Sequence, residues 1–330
     1  MNMSIETAEL SRTFQTYRKR EGLRESLRGF FSRDYEYKTA LQPTTLQIRK
    51  GSIVGLVGSN GAGKTTLLKL LAGLIHPSAG SARVLGFEPW KRDYAYLSRI
   101  GILLGQKNQL WWDIPAADSF DLLGKIYGLT PSLVKERSRE LAELLGATDQ
   151  LHIQLRRLSL GERMKMEIIG ALLHRPEILF LDEPTIGLDI VAQSAIRGFL
   201  VKYAAQEKPT IILTSHYMDD IAHLADRLLL ISRGGIVYDG TVKGFTNAAE
   251  LKQSLTMRFE SPLTGEISVT EDHVVVQSGA IEARVELKST NVSAFLKQIL
   301  DQTQLAELKI EQTNFEDVIH EFLAQEHRRI

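Results

Sequence analysis

Residues 52–66 read SIVGLVGSNGAGKTT, an apolar run that ends in glycines and continues directly into a lysine and two threonines. Residues 58–65, called the phosphate loop below, fit the pattern G-x-x-x-x-G-K-[ST]. In this pattern the glycines let backbone N–H groups surround phosphates, Lys64 reaches the β- and γ-phosphates, and the hydroxyl of Thr65 can bind Mg²⁺. Because the loop follows a predicted buried strand and opens a predicted helix, we expect a nucleoside-phosphate site here.

The elements beside the phosphate loop can be predicted from their apolar patterns. The run before the loop is typical of a strand buried on both faces. After the loop, leucines recur at helical spacing and predict a helix with one buried face: Leu67, Leu70, Leu71 and Leu74. The expected nucleotide contacts are all residues of the loop and the threonine after it: Gly58, Ser59, Asn60, Gly61, Ala62, Gly63, Lys64, Thr65 and Thr66.

Two acidic residues follow a second apolar run, ILFLDEP at residues 178–184. The run brings Asp182 to the end of a buried strand, where its carboxylate can hold Mg²⁺ through water. Glu183 is the candidate general base, because it points to where an attacking water would lie. The alternative is that both acids only cap a strand-to-loop turn. A phosphate loop in the same chain favours the catalytic interpretation.

The segment LSLGER, residues 158–163, is a second candidate anion site. Its Ser159 and Gly161 stand at the start of a predicted helix, where free backbone N–H groups favour bound anions. A serine at this position can also be a plain N-cap of the helix, which is equally sound physically. The chain therefore carries two separate stretches suited to phosphate.

These motifs, in this order, resemble those of the ATP-binding subunits of ABC transporters over roughly residues 4–245. LSLGER resembles the family's signature segment, and GLD at residues 187–189 resembles its D-loop. Gln106 stands where the family's Q-loop glutamine belongs, and His216, in ILTSH, matches its switch histidine. A lone glutamine or histidine is more often a plain surface or core residue, but several motifs in register outweigh that alternative.

The resemblance implies the ligands and the roles of individual residues. ATP and Mg²⁺ are the expected ligands, with Glu183 and His216 as catalytic residues and Thr65, Gln106 and Asp182 near the metal. In this family two cassettes dimerise head to tail, and the signature segment of one chain closes over ATP held by the phosphate loop of the other. The implied nucleotide contacts outside the phosphate loop are Phe14, Gln106, Ser159, Gly161, Asp182 and Asp189.

The signature segment departs from the family's LSGGQ at two positions. Leu160 replaces the second glycine and Glu162 replaces the glutamine. Neither change removes the Ser159 hydroxyl or the Gly161 amide, and similar variants occur in export-type members. Since Glu183 and His216 are also present, we expect an active rather than a degenerate site.

The aromatic residue that stacks on adenine is expected in a Leu-x-(Lys/Arg)-x-Tyr stretch. That stretch reads LSRTF here, so Phe14 is the candidate. An insertion follows it in the sequence, which leaves Tyr35 and Tyr37 as alternatives.

Composition and patterning indicate a globular chain with two domains. The 330 residues are 43% hydrophobic and 24% charged, which is ordinary for globular proteins. The resemblance implies an α/β P-loop NTPase fold, the ABC cassette, over residues 1–246, with a parallel sheet core and an antiparallel β subdomain. Two predicted helical stretches indicate a helical subdomain over residues 118–146. Residues 247–330 are predicted to form a small C-terminal α+β accessory domain that closes with a helix at FEDVIHEFLAQ.

A basic insertion at about residues 18–38 separates two predicted strands. The insertion contains one predicted helix, with apolar side chains on one face and basic side chains beside them. Such a helix could lie on an anionic membrane or pack on protein. We favour packing, because a transporter ATPase is already tethered by its partner. The residues that define the two faces are Leu23, Leu27, Phe30, Phe31, Arg20, Arg24 and Arg28.

The expected function is ATP binding and hydrolysis by a transporter subunit that dimerises on ATP and drives a separate transmembrane permease. The second ATP-binding subunit can be a copy of this chain or a different one. The tail TNFEDVIHEFL resembles those of drug and sodium exporter ATPases and favours export. No secretory signal or bilayer-length apolar run is present in the sequence, so we expect a cytoplasmic protein. The resemblance to transporter subunits implies that it is bound peripherally to the inner face of the cell membrane.

Two other functions are weaker alternatives. A soluble ABC-type ATPase acting on nucleic acid or the ribosome is disfavoured by the balance of 40 Lys and Arg against 40 Asp and Glu, and no nucleic-acid partner is expected. A P-loop kinase or GTPase leaves the signature segment and His216 unexplained.

The absence of cysteine from the sequence excludes disulfides and thiolate metal sites.

Overall fold

The computed structural model describes residues 3–17, 35–105, 108–215, 218–248, 252–269, 274–288 and 291–312. The chain divides into two compact units, Met1–Gly240 and Thr241–Ile330. In the first unit the strands are β1 (Met3–Tyr17), β2 (Tyr35–Arg49), β3 (Ile53–Val57), β4 (Ala79–Val84), β5 (Ile100–Leu104), β6 (Ile178–Asp182), β7 (Thr210–Thr214), β8 (Arg227–Ser232) and β9 (Gly235–Thr241).

The helices of the first unit connect these strands. They are α1 (Lys64–Leu71), α2 (Tyr94–Leu97), α3 (Ala116–Tyr127), α4 (Pro131–Leu144), α5 (Leu160–Leu172), α6 (Ile190–Glu207) and α7 (Met218–Leu224). Single 3-10 turns lie at Pro89–Lys91, Thr148–Gln150 and Leu155–Arg157. Among the residues described, no helix combines the length and the apolar character needed to cross a membrane.

A six-stranded sheet, in the order β5-β6-β7-β3-β8-β9, forms the core of the first unit. The pairs β5–β6, β6–β7, β7–β3 and β3–β8 are parallel. Every residue of β6 and β7 is buried, as expected for parallel strands covered by helices on both faces. Because the strands are parallel, their carboxyl ends lie along one edge of the sheet, where α/β proteins bind ligands.

A second sheet, β2-β1-β4, is antiparallel. Ile5 of β1 pairs with Ile48 on one side and Val84 on the other. All three side chains are buried and belong to the same apolar core as β3 and α1. The predicted insertion begins after β1; residues 18–34 lie outside the described part of the chain, and residues 35–38 belong to β2.

Helix α1 is shorter than the leucine spacing predicts. It ends at Leu71, and Gly73 follows with φ 73°. A Cβ atom on Gly73 would lie 2.1 Å from the carbonyl oxygen of Pro89, so a glycine is required where the chain leaves the helix. Leu74, predicted on the buried face of this helix, therefore lies beyond its end and is 36% exposed.

Helices α3 and α4 form the predicted helical subdomain. The Thr130 side chain accepts a hydrogen bond from the backbone N–H of Leu133, and Pro131 occupies the first turn of α4, the combination that favours a helix start. Together with the parallel core and the antiparallel sheet, these helices confirm the predicted fold class.

The second unit contains a three-stranded antiparallel sheet, in the order β13-β10-β14, and a separate pair, β11–β12. The predicted domain boundary, 246/247, falls within helix α8 of this unit. The closing helix predicted at 315–325 lies outside the described residues. The elements are α8 (Val242–Ala248), β10 (Lys252–Phe259), β11 (Ile267–Val269), β12 (Val274–Val276), β13 (Glu282–Lys288), α9 (Val292–Leu300) and β14 (Leu305–Gln312).

Candidate functional site

The phosphate loop connects β3 to α1 and lies against the backbone of two neighbouring strands. A Cβ atom on Gly58 would lie 2.2 Å from the carbonyl oxygen of Ile231, and one on Gly63 would lie 2.5 Å from that of Ala40. Gly63 also has φ 115°, a conformation that disfavours side chains. Both positions therefore require glycine, and the loop backbone is free to present its N–H groups to a ligand.

The turn between β8 and β9 supports this loop from behind. The N–H of Gly234 donates to the Ala62 carbonyl oxygen at 2.8 Å, and the N–H of Gln42 donates to the Gly234 carbonyl oxygen at 2.8 Å. Arg233 and Gly234 have φ 48° and 82°, as in a two-residue type I′ hairpin turn. Two adjacent glycines in the sequence, Gly234 and Gly235, favour a hairpin turn at those two positions. The structure places the turn at Arg233 and Gly234, one residue earlier.

Lys64, the first residue of α1, points its ammonium group back into the loop. Its Nζ donates to the carbonyl oxygens of Gly58 at 2.6 Å and Ser59 at 3.1 Å. Burial lowers the pKa of Lys64, while the charges of Glu183 and Asp182 act in the opposite direction. The structure thus places a cation between the phosphate loop and the two acidic residues predicted to act with it.

Asp182 ends β6 and faces the start of α1. Its two carboxylate oxygens accept hydrogen bonds from the Thr65 hydroxyl at 3.2 and 3.0 Å. The Thr214 hydroxyl, at the end of β7, donates to one of the same oxygens at 2.7 Å. Asp182 is therefore not a simple turn cap: it joins the phosphate loop to the carboxyl edge of the central sheet.

Glu183 has a backbone conformation that is unusual for its residue type. Its φ is 55°, in the left-handed region, and such residues are concentrated at functional sites. The Glu183 N–H donates to the Thr214 carbonyl oxygen at 3.1 Å and to the Thr214 hydroxyl at 3.0 Å. These bonds to β7 hold the strained residue, which is half-buried, beside Asp182.

The signature segment begins α5 with a complete capping box. The Ser159 hydroxyl donates to the Glu162 carboxylate at 2.8 Å, the Ser159 N–H donates to the same carboxylate at 2.9 Å, and the Glu162 N–H donates to the Ser159 oxygen. These bonds to Ser159 lower the pKa of Glu162. Glu162, which departs from the family pattern, thus stabilises the helix start as a capping-box acid.

The predicted D-loop lies beside the signature segment in the same chain. A Cβ atom on Gly161 would lie 2.8 Å from the Ala192 Cβ, and one on Gly187 would lie 3.5 Å from the Leu160 side chain. Asp189 is the N-cap of α6, and its side chain accepts a hydrogen bond from the Ala192 N–H at 2.8 Å. The predicted site residues therefore form two groups with different neighbours, one at the phosphate loop and one at the starts of α5 and α6.

The adenine-stacking candidate lies in the antiparallel sheet. Phe14 pairs with Lys38 on β2, two residues before Ala40, which touches the phosphate loop. The Arg12 guanidinium lies over the Phe14 ring at 4.6 Å from its centre, whereas Tyr37 is 69% exposed. Of the remaining predicted residues, Gln106 and His216 lie outside the described residues, as does the side chain of Tyr35.

Sequence reasoning missed Thr214, which binds both acidic residues. It also missed Thr185, Ser215 and Asp220, which form hydrogen bonds with one another next to Glu183. The available signal is that polar residues at the carboxyl ends of parallel strands line the ligand-binding edge of the sheet. That signal selects Thr214 and Ser215, but it does not select Asp220, which lies in α7.

Comparisons with known proteins found a matching family and similar chains. The family model described as ABC transporter matches residues 41–186. The ABC transporter ATP-binding protein NatA of Bacillus subtilis is 35% identical over 229 residues, covering 69% of this chain and 92% of NatA. The linearmycin resistance ATP-binding protein LnrL of Bacillus subtilis is 34% identical, covering 63% of this chain and 66% of LnrL. The daunorubicin resistance ATP-binding protein DrrA3 of Streptomyces coeruleorubidus is 34% identical, covering 63% of this chain and 65% of DrrA3.

Solved structures show the same fold. The dimeric ATP-binding cassette MJ0796 bound to ADP and Pi matches with a TM-score of 0.60 and 19% identity, covering 72% of this chain and 98% of that one. CbiO1 from Clostridium perfringens, part of the ABC transporter complex cbiONQ, matches with a TM-score of 0.61 and 23% identity, covering 75% of this chain and 92% of that one.

Proposed function

The chain belongs to the family of ABC transporter ATP-binding subunits and is an ATPase, and from this premise we propose which of its residues bind and hydrolyse ATP. The observation that carries the proposal is the hydrogen-bonded series of Thr65, Asp182, Thr214 and Glu183 beside Lys64. It supports the proposal because oxygen atoms suited to a metal, a cation and a carboxylate lie together at the carboxyl ends of the central strands, next to a loop whose glycines admit phosphate.

The phosphate loop holds the phosphates of ATP through its backbone N–H groups and Lys64. Thr65 and Asp182 fit Mg²⁺, because Mg²⁺ prefers oxygen ligands and their oxygens already lie 3.0–3.2 Å apart. Gln106 is the third metal-side residue that we propose, from the family resemblance. Bound Mg²⁺ neutralises charge on the β- and γ-phosphates. Phe14 is the proposed contact of the adenine ring, because it lies in β1, and the strand paired with β1, β2, also contacts the phosphate loop.

Glu183 is the proposed general base for the attacking water. The hydrogen bonds from its backbone N–H to Thr214 fix the position of the Glu183 backbone, from which the side chain extends. The adjacent Asp182 is the residue proposed to bind the metal. As the water oxygen bonds to the γ-phosphorus, the bond from this phosphorus to the β–γ bridging oxygen breaks, ADP leaves, and the water proton goes to the Glu183 carboxylate. His216, which follows β7 by two residues in the sequence, is proposed as the second catalytic residue on the family resemblance.

Ser159 and Gly161 are proposed to act on ATP held by a second subunit. Family members form dimers and work with a transmembrane permease, and the separate positions of the two residue groups support a shared site. The start of α5 supplies N–H groups to an anion, and the Ser159 hydroxyl can turn from Glu162 to donate to phosphate. Asp189, at the start of α6, stands next to this segment and is a proposed contact in the same interface.

The shared site predicts a specific result for Ser159→Arg. The variant should bind ATP with nearly unchanged affinity, because its phosphate loop is intact, and it should not hydrolyse ATP, because a bulky cation blocks closure over the partner's phosphate. ATP affinity is measured by titration calorimetry and hydrolysis by phosphate release. Mixing Ser159→Arg with Lys64→Ala protein should restore part of the activity, because one of the two sites in a mixed dimer is then free of both changes.

The matched control is Ser98→Arg, at the end of α2. This change adds the same side chain to a serine outside the proposed interface and should leave hydrolysis within about twofold of wild type. Full activity of Ser159→Arg on its own would contradict the proposed role of Ser159. Activity that returns on mixing identifies a homodimer with shared sites.

Export through a separate permease is the proposed cellular role. LnrL and DrrA3 are named as resistance proteins, and this chain resembles them across its cassette. The exposed aromatic residues Trp111 and Trp112, 43% and 41% accessible, support contact with a protein partner, because large exposed apolar side chains that cluster mark interaction surfaces. The proposed location is the inner face of the cell membrane, where the permease holds the subunit.

We propose that the cassette alone binds and hydrolyses ATP and that the C-terminal domain has an accessory role. A chain that ends at Gly240, the end of the first compact unit, should bind ATP within about threefold of the full-length affinity. The same truncation carrying Lys64→Ala is the control and should not bind. A folded truncated chain that binds no ATP, as judged by circular dichroism and calorimetry, would show that the second unit takes part in nucleotide binding.

A further inference from the structure

The carboxylate of Asp220 is a buried junction that the proposed mechanism does not use. Asp220 lies in α7 and is 1% exposed. One of its oxygens accepts hydrogen bonds from the hydroxyls of Thr185 at 2.5 Å and Ser215 at 2.8 Å. Thr185 follows Glu183 by two residues, and Ser215 directly precedes His216. A single carboxylate oxygen therefore joins the segments that carry both proposed catalytic residues.

The other oxygen of Asp220 binds a third element. It accepts hydrogen bonds from the Nε and Nη2 atoms of Arg197 at 3.0 and 2.8 Å. Arg197 lies in α6, the helix that begins after Asp189. Charge-assisted bonds of this kind are short and directional, so Asp220 fixes Thr185 and Ser215 relative to the helix that follows the D-loop residue.

The partners of Asp220 are themselves enclosed. Thr185 and Ser215 are each 2% exposed, and the Arg197 side chain is 20% exposed. A buried carboxylate needs its hydrogen bonds, because a buried charge without partners is strongly unfavourable. The arrangement therefore has little freedom to relax if one of these groups is changed, and a displacement at Asp220 must move the segments that it joins.

We propose that Asp220 is a positioning residue for ATP hydrolysis, which holds the Glu183 segment and the segment before His216 in fixed relation to α6. The inference rests on the proposed function, because it assumes that Glu183 and His216 act on ATP. The hydrogen-bond partners of Asp220 lie outside the phosphate loop. Its removal therefore lowers the rate of hydrolysis and leaves the affinity for nucleotide unchanged.

The test is Asp220→Asn in the full-length chain. Asn keeps the shape of the side chain but removes the charge and replaces one acceptor oxygen with a donor group. The kcat for ATP hydrolysis should fall at least about tenfold, while KM and the Kd for ATP stay within about twofold. This split separates positioning of the catalytic segments from a general loss of structure, which lowers nucleotide binding as well.

The matched control is Asp239→Asn. Asp239 accepts two hydrogen bonds from Arg227, both at 2.6 Å, so the same chemical change breaks a similar arginine pair between β8 and β9. Its kcat should stay within about twofold of wild type. Circular dichroism and thermal melting identify the fraction of each variant that is folded, and rates are expressed per folded protein.

Thr185→Val provides a second measurement should Asp220→Asn not fold. It removes one hydrogen bond to Asp220 and keeps the Arg197 pair, and it should lower kcat at least about threefold with unchanged Kd for ATP. A folded Asp220→Asn with wild-type kcat overturns the inference, as does wild-type kcat for Thr185→Val when Asp220→Asn is unfolded. If Glu183→Gln keeps full activity, the proposed catalytic role of Glu183, on which the inference rests, is wrong; if Glu183→Gln is inactive and Asp220→Asn is not impaired, only the inference about Asp220 is wrong.

Discussion

Lys64→Ala is expected to lower ATP affinity by about a hundredfold and to abolish measurable turnover. The ammonium group lies inside the phosphate loop, 2.6 Å from the Gly58 carbonyl oxygen, where we propose that it faces the phosphates of a bound nucleotide. Hydrogen bonds to charged groups contribute about 1.5–3 kcal/mol each, and about 2.8 kcal/mol corresponds to a hundredfold change in Kd. Titration calorimetry with ATP measures the affinity, and phosphate release measures the turnover.

Lys69→Ala is the matched control for this experiment. Lys69 lies in the last turn of the same helix, α1, so the change removes the same charge from the same element at the end remote from the phosphate loop. Its Kd for ATP should stay within about twofold of wild type. Wild-type hydrolysis by Lys64→Ala would show that the phosphate loop is not the nucleotide site.

Glu183→Gln is expected to lower kcat by about 10²–10⁴-fold, the contribution typical of a general base. The amide keeps the size of the side chain but cannot take a proton from water. ATP binding should be retained, because Lys64 and Asp182 are unchanged. With ATP and Mg²⁺ the variant should elute as a dimer in sizing chromatography, since the closed state is no longer released by hydrolysis; with EDTA in place of Mg²⁺ the dimer should be lost.

The control for this variant is Glu177→Gln. Glu177 lies just before β6, at the opposite end of the strand from Glu183, and its carboxylate pairs with Lys50 and Arg99. The same substitution there should leave kcat within about twofold of wild type. A Glu183→Gln protein that stays monomeric with ATP and still hydrolyses it would remove Glu183 from the catalytic role.

The features that the sequence predicts well are those set by local pattern. The buried strands β3 and β6, the phosphate loop and the helical subdomain follow from apolar runs, glycines and helix-start residues. The errors are also local. The leucine spacing continues past Gly73 and predicts Leu74 in a helix that ends before this glycine. A positive φ at Arg233 likewise places the β8–β9 turn one residue earlier than the two glycines predict.

The parts that could not be predicted depend on contacts between distant residues. Asp182 meets Thr65 and Thr214, and Asp220 meets Arg197, only because the sheet order brings β6, β7 and β3 together. No spacing in the sequence encodes these pairs. The capping box at the start of α5 is different, because a serine followed three residues later by a glutamate is a signal that the sequence itself contains. Comparison with the family pattern alone treats that glutamate only as a departure.

The hydrogen bond from Gly234 to Ala62 has a thermodynamic consequence for ligand binding. Ordering one flexible backbone residue costs about 1–2 kcal/mol of conformational entropy. A flexible loop would incur this cost for each residue that becomes ordered when the loop closes around phosphates. Here the β8–β9 turn and the backbone of β2 at Ala40 already restrict the loop through contacts within the protein. Preorganisation of this kind leaves more of the interaction energy with the phosphates to appear as affinity.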